Sequence, residues 1–107
     1  MSDTYYPRLS TSGTTTTLAV VALPAGTPTR IAAASARRSS LAVANIGTGL
    51  ASLGFASTVT AGNGWPLAAA SASGDQGGAY EWPTAAIHTG EVWAVSAAGT
   101  AVAVMEG

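Results

Sequence analysis

Every apolar stretch of this chain is short, because Gly, Pro, Ser, Thr and Asn interrupt the hydrophobic residues at close intervals. The strongest apolar run is residues 18–23, LAVVAL. A transmembrane helix needs about 20 consecutive apolar residues, so no membrane span is expected, although the mean hydropathy is +0.34. Short apolar runs separated by turn residues are typical of an all-β domain.

The short runs also carry the features of β-strands. β-Branched residues are concentrated in residues 14–23, TTTTLAVVAL, and residues 91–96, EVWAVS, alternate with period two. Residues 50–57 follow a turn marked by Asn45, Gly47 and Gly49, and we interpret them as the hairpin partner of the preceding strand. Further strands are predicted at residues 41–45, 79–82, 85–88 and 100–106, whereas residues 68–78 form a flexible loop.

Residues 29–46 allow two interpretations. They contain neither Gly nor Pro and begin with an alanine-rich segment, which is compatible with a helix. However, Leu41, Val43 and Asn45 alternate with small residues, and this pattern favours a strand. The strand interpretation is the one we adopt.

The predicted fold is therefore a small β-sandwich or jelly roll of seven to eight short antiparallel strands. Residues 15–107 are expected to form one domain, because 107 residues provide one hydrophobic core rather than two. Residues 1–14 are polar and turn-rich, and we predict an extended N-terminal arm. The alternative interpretation is that these residues are a frayed terminus. Within the arm, the residues predicted to contact a neighbouring subunit are Tyr5, Tyr6, Pro7 and Arg8.

Charged residues make up only 8% of the chain, against roughly 25% in an ordinary soluble domain. There is no lysine. The chain has four arginines and five acidic residues, which gives a net charge of −1. Binding a nucleic-acid backbone needs a clustered basic surface, so nucleic acid is excluded as a partner. A neutral surface gives little electrostatic repulsion between copies. We therefore predict that other protein chains cover much of the surface of this domain.

The chain offers little for catalysis or metal binding. His88 is its single histidine, it has no cysteine, and no nucleophile or paired-carboxylate motif accompanies the histidine. Zinc prefers about four N or S ligands, and the loop around Asp75 supplies one carboxylate where a calcium loop needs several. We therefore predict no catalytic residue, no metal and no cofactor. No secretory signal peptide is expected, because the N-terminus lacks a basic start followed by an apolar run.

Four aromatic residues, Trp65, Tyr80, Trp82 and Trp93, could form a stacking surface for sugars. Trp93 lies in an alternating strand and is predicted to belong to the core. Trp65 and Trp82 both adjoin prolines, so they either cap the sandwich or insert into a partner. We include these two residues among the candidate assembly contacts.

The second part of the chain resembles a known group of proteins. The segments that carry the resemblance are residues 37–41 (RRSSL), 45–47 (NIG), 64–67 (GWPL), 80–82 (YEW) and 90–100 (GEVWAVSAAGT). Over residues 37–106 their order is similar to that of small β-rich structural proteins of tailed bacteriophages, and in particular of capsid decoration or cement proteins.

This resemblance implies a non-enzymatic virion protein on the outer surface of the capsid. The major capsid protein and copies of the chain itself, assembled as a trimer, would be its partners. It would be made in the cytoplasm of the bacterial host and would hold neighbouring capsomers together. Two alternatives remain, namely a neck, tail or fibre-base component of the virion and a glycan-binding β-sandwich module.

Overall fold

The computed structural model describes residues 16–107, which form two antiparallel four-stranded sheets. In chain order the strands are β1 (Thr17–Leu23), β2 (Thr29–Ala32), β3 (Leu41–Asn45), β4 (Ala51–Gly54), β5 (Trp65–Leu67), β6 (Ala79–Glu81), β7 (Val92–Val95) and β8 (Thr100–Glu106). Sheet A has the strand order β1-β8-β3-β6, and sheet B has the order β2-β7-β4-β5. The all-β fold predicted from the sequence is confirmed.

The first strand in the sequence pairs with the last, and the pairing continues toward the middle of the sequence. Strand β1 pairs with β8, β2 with β7, β3 with β6, and β4 with β5. Successive pairs alternate between the two sheets, and the β8–β3 and β7–β4 contacts complete each sheet. An antiparallel ribbon wrapped in this way into two sheets is a jelly roll. The edge strands β5 and β6 therefore come to lie on the same side of the sandwich.

One hydrophobic core fills the space between the sheets. Sheet A contributes Leu41, Val43, Val102 and Val104, all of which are buried. Sheet B contributes a matching set of inward side chains, namely Ile31, Ala32, Ala51, Leu53, Leu67, Val92 and Ala94. Small residues make this core thin, so each buried side chain contributes modest apolar area.

Three local expectations are corrected or resolved by the structure. Residues 29–46 contain strands β2 and β3, not a helix. The prediction of a strand at residues 85–88 is wrong, because Thr84–Ala86 form a short 3₁₀ helix after Pro83. The prediction of a hairpin between β3 and β4 is also wrong, since these strands belong to different sheets. The turn at residues 46–50 carries the chain from one sheet to the other.

Candidate functional site: an aromatic groove and an apolar sheet face

An open groove lies where the core reaches the edge strands β5 and β6. Trp65 pairs with Leu53 and Leu67 pairs with Ala51, so both β5 side chains point to the core side of sheet B. Leu67 is buried, whereas Trp65 at the strand end is 60% exposed. Across the gap between the sheets, the Tyr80 ring of β6 lies with its centroid 5.8 Å from that of Trp65. The two rings form one wall of the groove.

Further rings extend this wall along the end of the sandwich. The Trp82 centroid lies 4.7 Å from that of Tyr80 in an edge-to-face arrangement. The His88 ring stacks on Trp82 at 6.3 Å and lies 4.3 Å from the ring of Phe55. Edge-to-face pairs at such separations are favourable beyond the apolar area that they bury. The rings therefore hold one another in place.

The groove has an open volume of about 530 Å³. Its floor and remaining wall come from the end of β4 and the following loop, including Leu53, Gly54, Val59 and Asn63. Among the described residues, none of the side chains that line it is charged. Ligand sites are mostly apolar and aromatic with a few polar groups, so this groove suits a neutral ligand.

The structure brings together two of the residues predicted as assembly contacts, Trp65 and Trp82. The other predicted contacts, Tyr5, Tyr6, Pro7 and Arg8, and the arm of residues 1–14 lie outside the described residues. One aromatic residue that lines the groove was missed, namely Phe55. Its ring packs against His88, and only the packing of the loops after β4 and β6 makes these two residues neighbours.

The prediction that Trp93 belongs to the core is wrong. Val92 and Ala94 point inward and are fully buried, which leaves Trp93 on the outer face of sheet B. There its indole Nε1 donates a hydrogen bond of 3.0 Å to a carboxylate oxygen of Glu91. This bond, followed by a bond from Arg30, lowers the pKa of Glu91 below its ordinary value of 4.5.

The outer face of sheet A is apolar. In the pairing register its outward side chains are those of Leu18, Val20, Ala22, Ala42, Ala44, Ala79, Glu81, Ala101, Ala103 and Met105. Only Glu81, on the edge strand β6, is charged. Leu18 is 71% exposed and Val20 is 64% exposed. An antiparallel sheet with one solvated face usually carries polar side chains there, so this face is unusual.

Sheet B, in contrast, has a covered outer face. Val59 packs against Gly54 so closely that a Cβ at residue 54 would lie 2.7 Å from it, and Val59 is buried. The Ser52 hydroxyl donates to the Ala61 carbonyl at 3.2 Å, which ties the same loop over β4. Beside the loop, the Arg30–Glu91 ion pair and Trp93 supply polar groups. Among residues 16–107, an exposed apolar sheet surface is therefore found on sheet A and not on sheet B.

His88 has structural partners in this arrangement. Its Nε2–H donates to the Glu91 carbonyl oxygen at 3.0 Å, and its ring packs in the aromatic wall. Residues 16–107 contain no group of three or more His, Cys, Asp or Glu side chains placed to hold a metal ion. In the part of the chain that the structure describes, no helix has the length and apolar character to cross a membrane.

Comparison of the chain with family models, with curated proteins and with solved structures finds no match. The resemblance to capsid decoration proteins therefore stays a prediction from the sequence. The structure offers two candidate functional surfaces, the aromatic groove and the outer face of sheet A.

Proposed function

We propose that this protein is a non-enzymatic structural subunit that packs against other protein chains through the outer face of sheet A. The observation that supports the proposal is the apolar character of this face, which includes exposed Leu18, Val20 and Met105. Contiguous exposed apolar surface on a small domain marks an interaction site. The centres of protein interfaces are similarly depleted in charged residues.

The shape of the face also favours a protein partner. Alanines of β3, β6 and β8 form its centre, and larger side chains, including Leu18 and Met105 on one side, border a shallow depression of about 430 Å³. A surface with a small-residue floor allows the backbone of a partner to approach closely. Nucleic acid would instead require clustered basic side chains, and sheet A presents none on this face among the described residues.

The specific setting that we propose is the virion of a tailed bacteriophage, with the chain bound to the outer surface of the capsid. This part of the proposal is supported by the sequence resemblance in residues 37–106. The partners are then the major capsid protein and copies of the chain itself. Many copies, each with a modest contact, would together resist opening of the shell.

Substitution of Ala44 tests the role of the face. Ala44 lies at an outward position of β3, so Ala44→Glu places a charge on the face while leaving the core unchanged. We expect binding to the partner or to particles to fall about tenfold or more, because a buried unpaired charge is costly. Ala97→Glu, an exposed position in the turn between β7 and β8, is the matched control. Equal binding by both variants would contradict the proposal.

The capsid setting has its own test, which is the abundance of the chain in purified particles. A decoration protein should approach the copy number of the major capsid protein in quantitative mass spectrometry. A neck, tail or fibre-base component would be present in far fewer copies, and absence from particles would remove the virion setting. Imaging of particles with and without the protein locates it.

The aromatic groove supports a second candidate function, binding of a neutral glycan. Exposed Trp65 and half-buried Tyr80 provide flat apolar rings, and Asn63 adds a polar group for hydrogen bonding. Titration of neutral oligosaccharides with tryptophan fluorescence as the readout tests this function. A saturable signal that is lost in Trp65→Ala but kept in Ala44→Glu would favour the glycan module over the structural subunit.

A further inference from the structure

Three of the four sheet edges carry features that hinder pairing with another chain. Strand β2 has four residues and an irregular register between Arg30 and Ala32. Strands β5 and β6 have three residues each, with Pro66 in the first and Glu81 in the second. Short length, proline, charge and register irregularity are the means by which proteins protect sheet edges.

The edge formed by β1 has none of these features. It is seven residues long, Thr17–Leu23, without a charged residue or proline. Its register with β8 is one-to-one over its whole length, so it contains no bulge. Within residues 16–107 only β8 pairs with it, which leaves one row of backbone N–H and C=O groups unpaired. A long, regular and apolar edge of this kind readily pairs with another strand.

We propose that β1 pairs antiparallel with β1 of a second copy, so that two sheets A join into one continuous sheet across two subunits. The strand edge can pair with the same edge of a second copy, because a two-fold axis places the same surface on both sides of the contact. The strand carries no charge, so no like charges face each other across the junction. The pairing rests on the assembly role proposed above, but it uses the strand edge rather than the sheet face.

The size of the contact determines how the pairing is detected. Seven residues in a strand extend about 23 Å, and an interface of one strand pair is smaller than that of a stable complex. Dimers are therefore expected to form as the protein concentration rises and to be reinforced where many copies assemble. In the pair, the apolar outer faces of both subunits become continuous.

Disulfide cross-linking provides the main test, because the native chain has no cysteine. Val20 is the central residue of β1, so two-fold pairing places residue 20 of one copy opposite residue 20 of the other. Directly opposed Cβ atoms lie about 4.5–5.5 Å apart, and Val20→Cys should cross-link under mild oxidation. Met105→Cys, on the same outer face but one strand inward, is the matched control.

In the paired sheet the two residues at position 105 lie three strand spacings apart, and they are also offset along the strands by about four residues because Met105 pairs with Leu18. About 20 Å therefore separates them. We therefore expect at least about tenfold less cross-linking for Met105→Cys than for Val20→Cys. Equal cross-linking of both variants would show that faces rather than edges meet. Absence of a cross-link at residue 20, with a trimer in sedimentation, would overturn the edge pairing while leaving the assembly role intact.

A second variant tests the edge without an engineered disulfide. Ala19 points to the core side of β1 but is exposed, so Ala19→Lys adds an inward-pointing charge of the kind that protects natural edges. Sedimentation should show loss of the dimer with an unchanged unfolding midpoint. Ala97→Lys adds the same charge in the exposed turn between β7 and β8 and should leave the dimer unchanged. If both variants dimerise equally, the inference is wrong.

Deletion of residues 1–14 distinguishes a second copy from the chain's own N-terminal segment as the occupant of the edge. We expect cross-linking of Val20→Cys to be the same with and without these residues. Cross-linking that occurs only after the deletion would show that the N-terminal segment covers β1, and the proposed pairing would then be overturned.

Discussion

Arg38 shows how much of this small fold depends on one side chain. The residue is 4% exposed, and its guanidinium donates to the carbonyl oxygens of Ala33, His88 and Gly90 at 2.6–3.0 Å. It also forms an ion pair of 2.8 Å with Glu106 at the end of β8. The loop before β3, the loop before β7 and the last strand are thus tied together by one residue.

We expect Arg38→Ala to lower the free energy of unfolding by about 3 kcal/mol, since it leaves a partly buried carboxylate and three carbonyl groups without their donor. Arg37 is exposed and adjacent, so Arg37→Ala is the matched control, with an expected effect within about 0.5 kcal/mol. Urea unfolding followed by circular dichroism measures both. Similar losses for the two variants would contradict this role of Arg38.

At the scale of the elements, the edge strand β2 has the least regular backbone pairing. Strand β2 pairs with β7 through few residues and with an irregular register. Arg30 of β2 pairs with Trp93 of β7, and both side chains bond to Glu91. The Glu91 carboxylate therefore links the edge strand to the centre of sheet B from outside the core.

This link predicts a pH dependence of stability. The pKa of Glu91 is lowered in the folded chain by the bonds from Trp93 and Arg30. The stabilisation is therefore fully present above the ordinary value of 4.5, and it is lost as the pH falls through the lowered value. The difference in urea midpoint between the native chain and Glu91→Gln should be present at pH 7 and should disappear in acid.

Glu81→Gln serves as the control for this pH dependence, because it makes the same chemical change on β6 without removing a bond between β2 and β7. We expect its urea midpoint to follow that of the native chain over the same pH range. A difference for Glu91→Gln that persists unchanged after the pH has fallen through the lowered pKa would contradict the role of the ionised carboxylate.

At the scale of the whole molecule, the distribution of the few charges matters more than their number. The Arg30–Glu91 ion pair lies on the outer face of sheet B, and the Arg38–Glu106 ion pair lies at the end of β8. In the part of the chain that the structure describes, Glu81 is the one charged residue on the outer face of sheet A. Association through this face and its edge should therefore depend on apolar burial and backbone pairing, not on charge.

The salt dependence of association tests this distribution. We expect the association constant to change less than about threefold between roughly 50 and 300 mM NaCl, since screening affects ionic contacts. Sulfate should strengthen association, because it favours burial of apolar surface. Sedimentation equilibrium over both salt series measures the effect. A steep loss of association in NaCl would indicate that ionic contacts hold the copies together.

The sequence by itself determined the class of fold, because strand patterns and turn residues are local properties. The alternation in residues 100–106 predicts that Val102 and Val104 share one face of a strand, and in the structure both are buried. Alternation does not say which of its two faces meets the core. In β7 the larger side chain, Trp93, suggested the wrong face, because the side chains of this strand that lie in the core are the smaller Val92 and Ala94.

Only the tertiary structure decided which strands pair and which surfaces result. Strand pairs such as β1 and β8 join residues from opposite ends of the domain, and no local pattern encodes this partner choice. The aromatic groove is likewise assembled from Phe55, Trp65, Tyr80 and Trp82, which meet because β5 and β6 end on the same side of the jelly roll. The bare face of sheet A also appears only after pairing, since alanines on separate strands become one surface through their register.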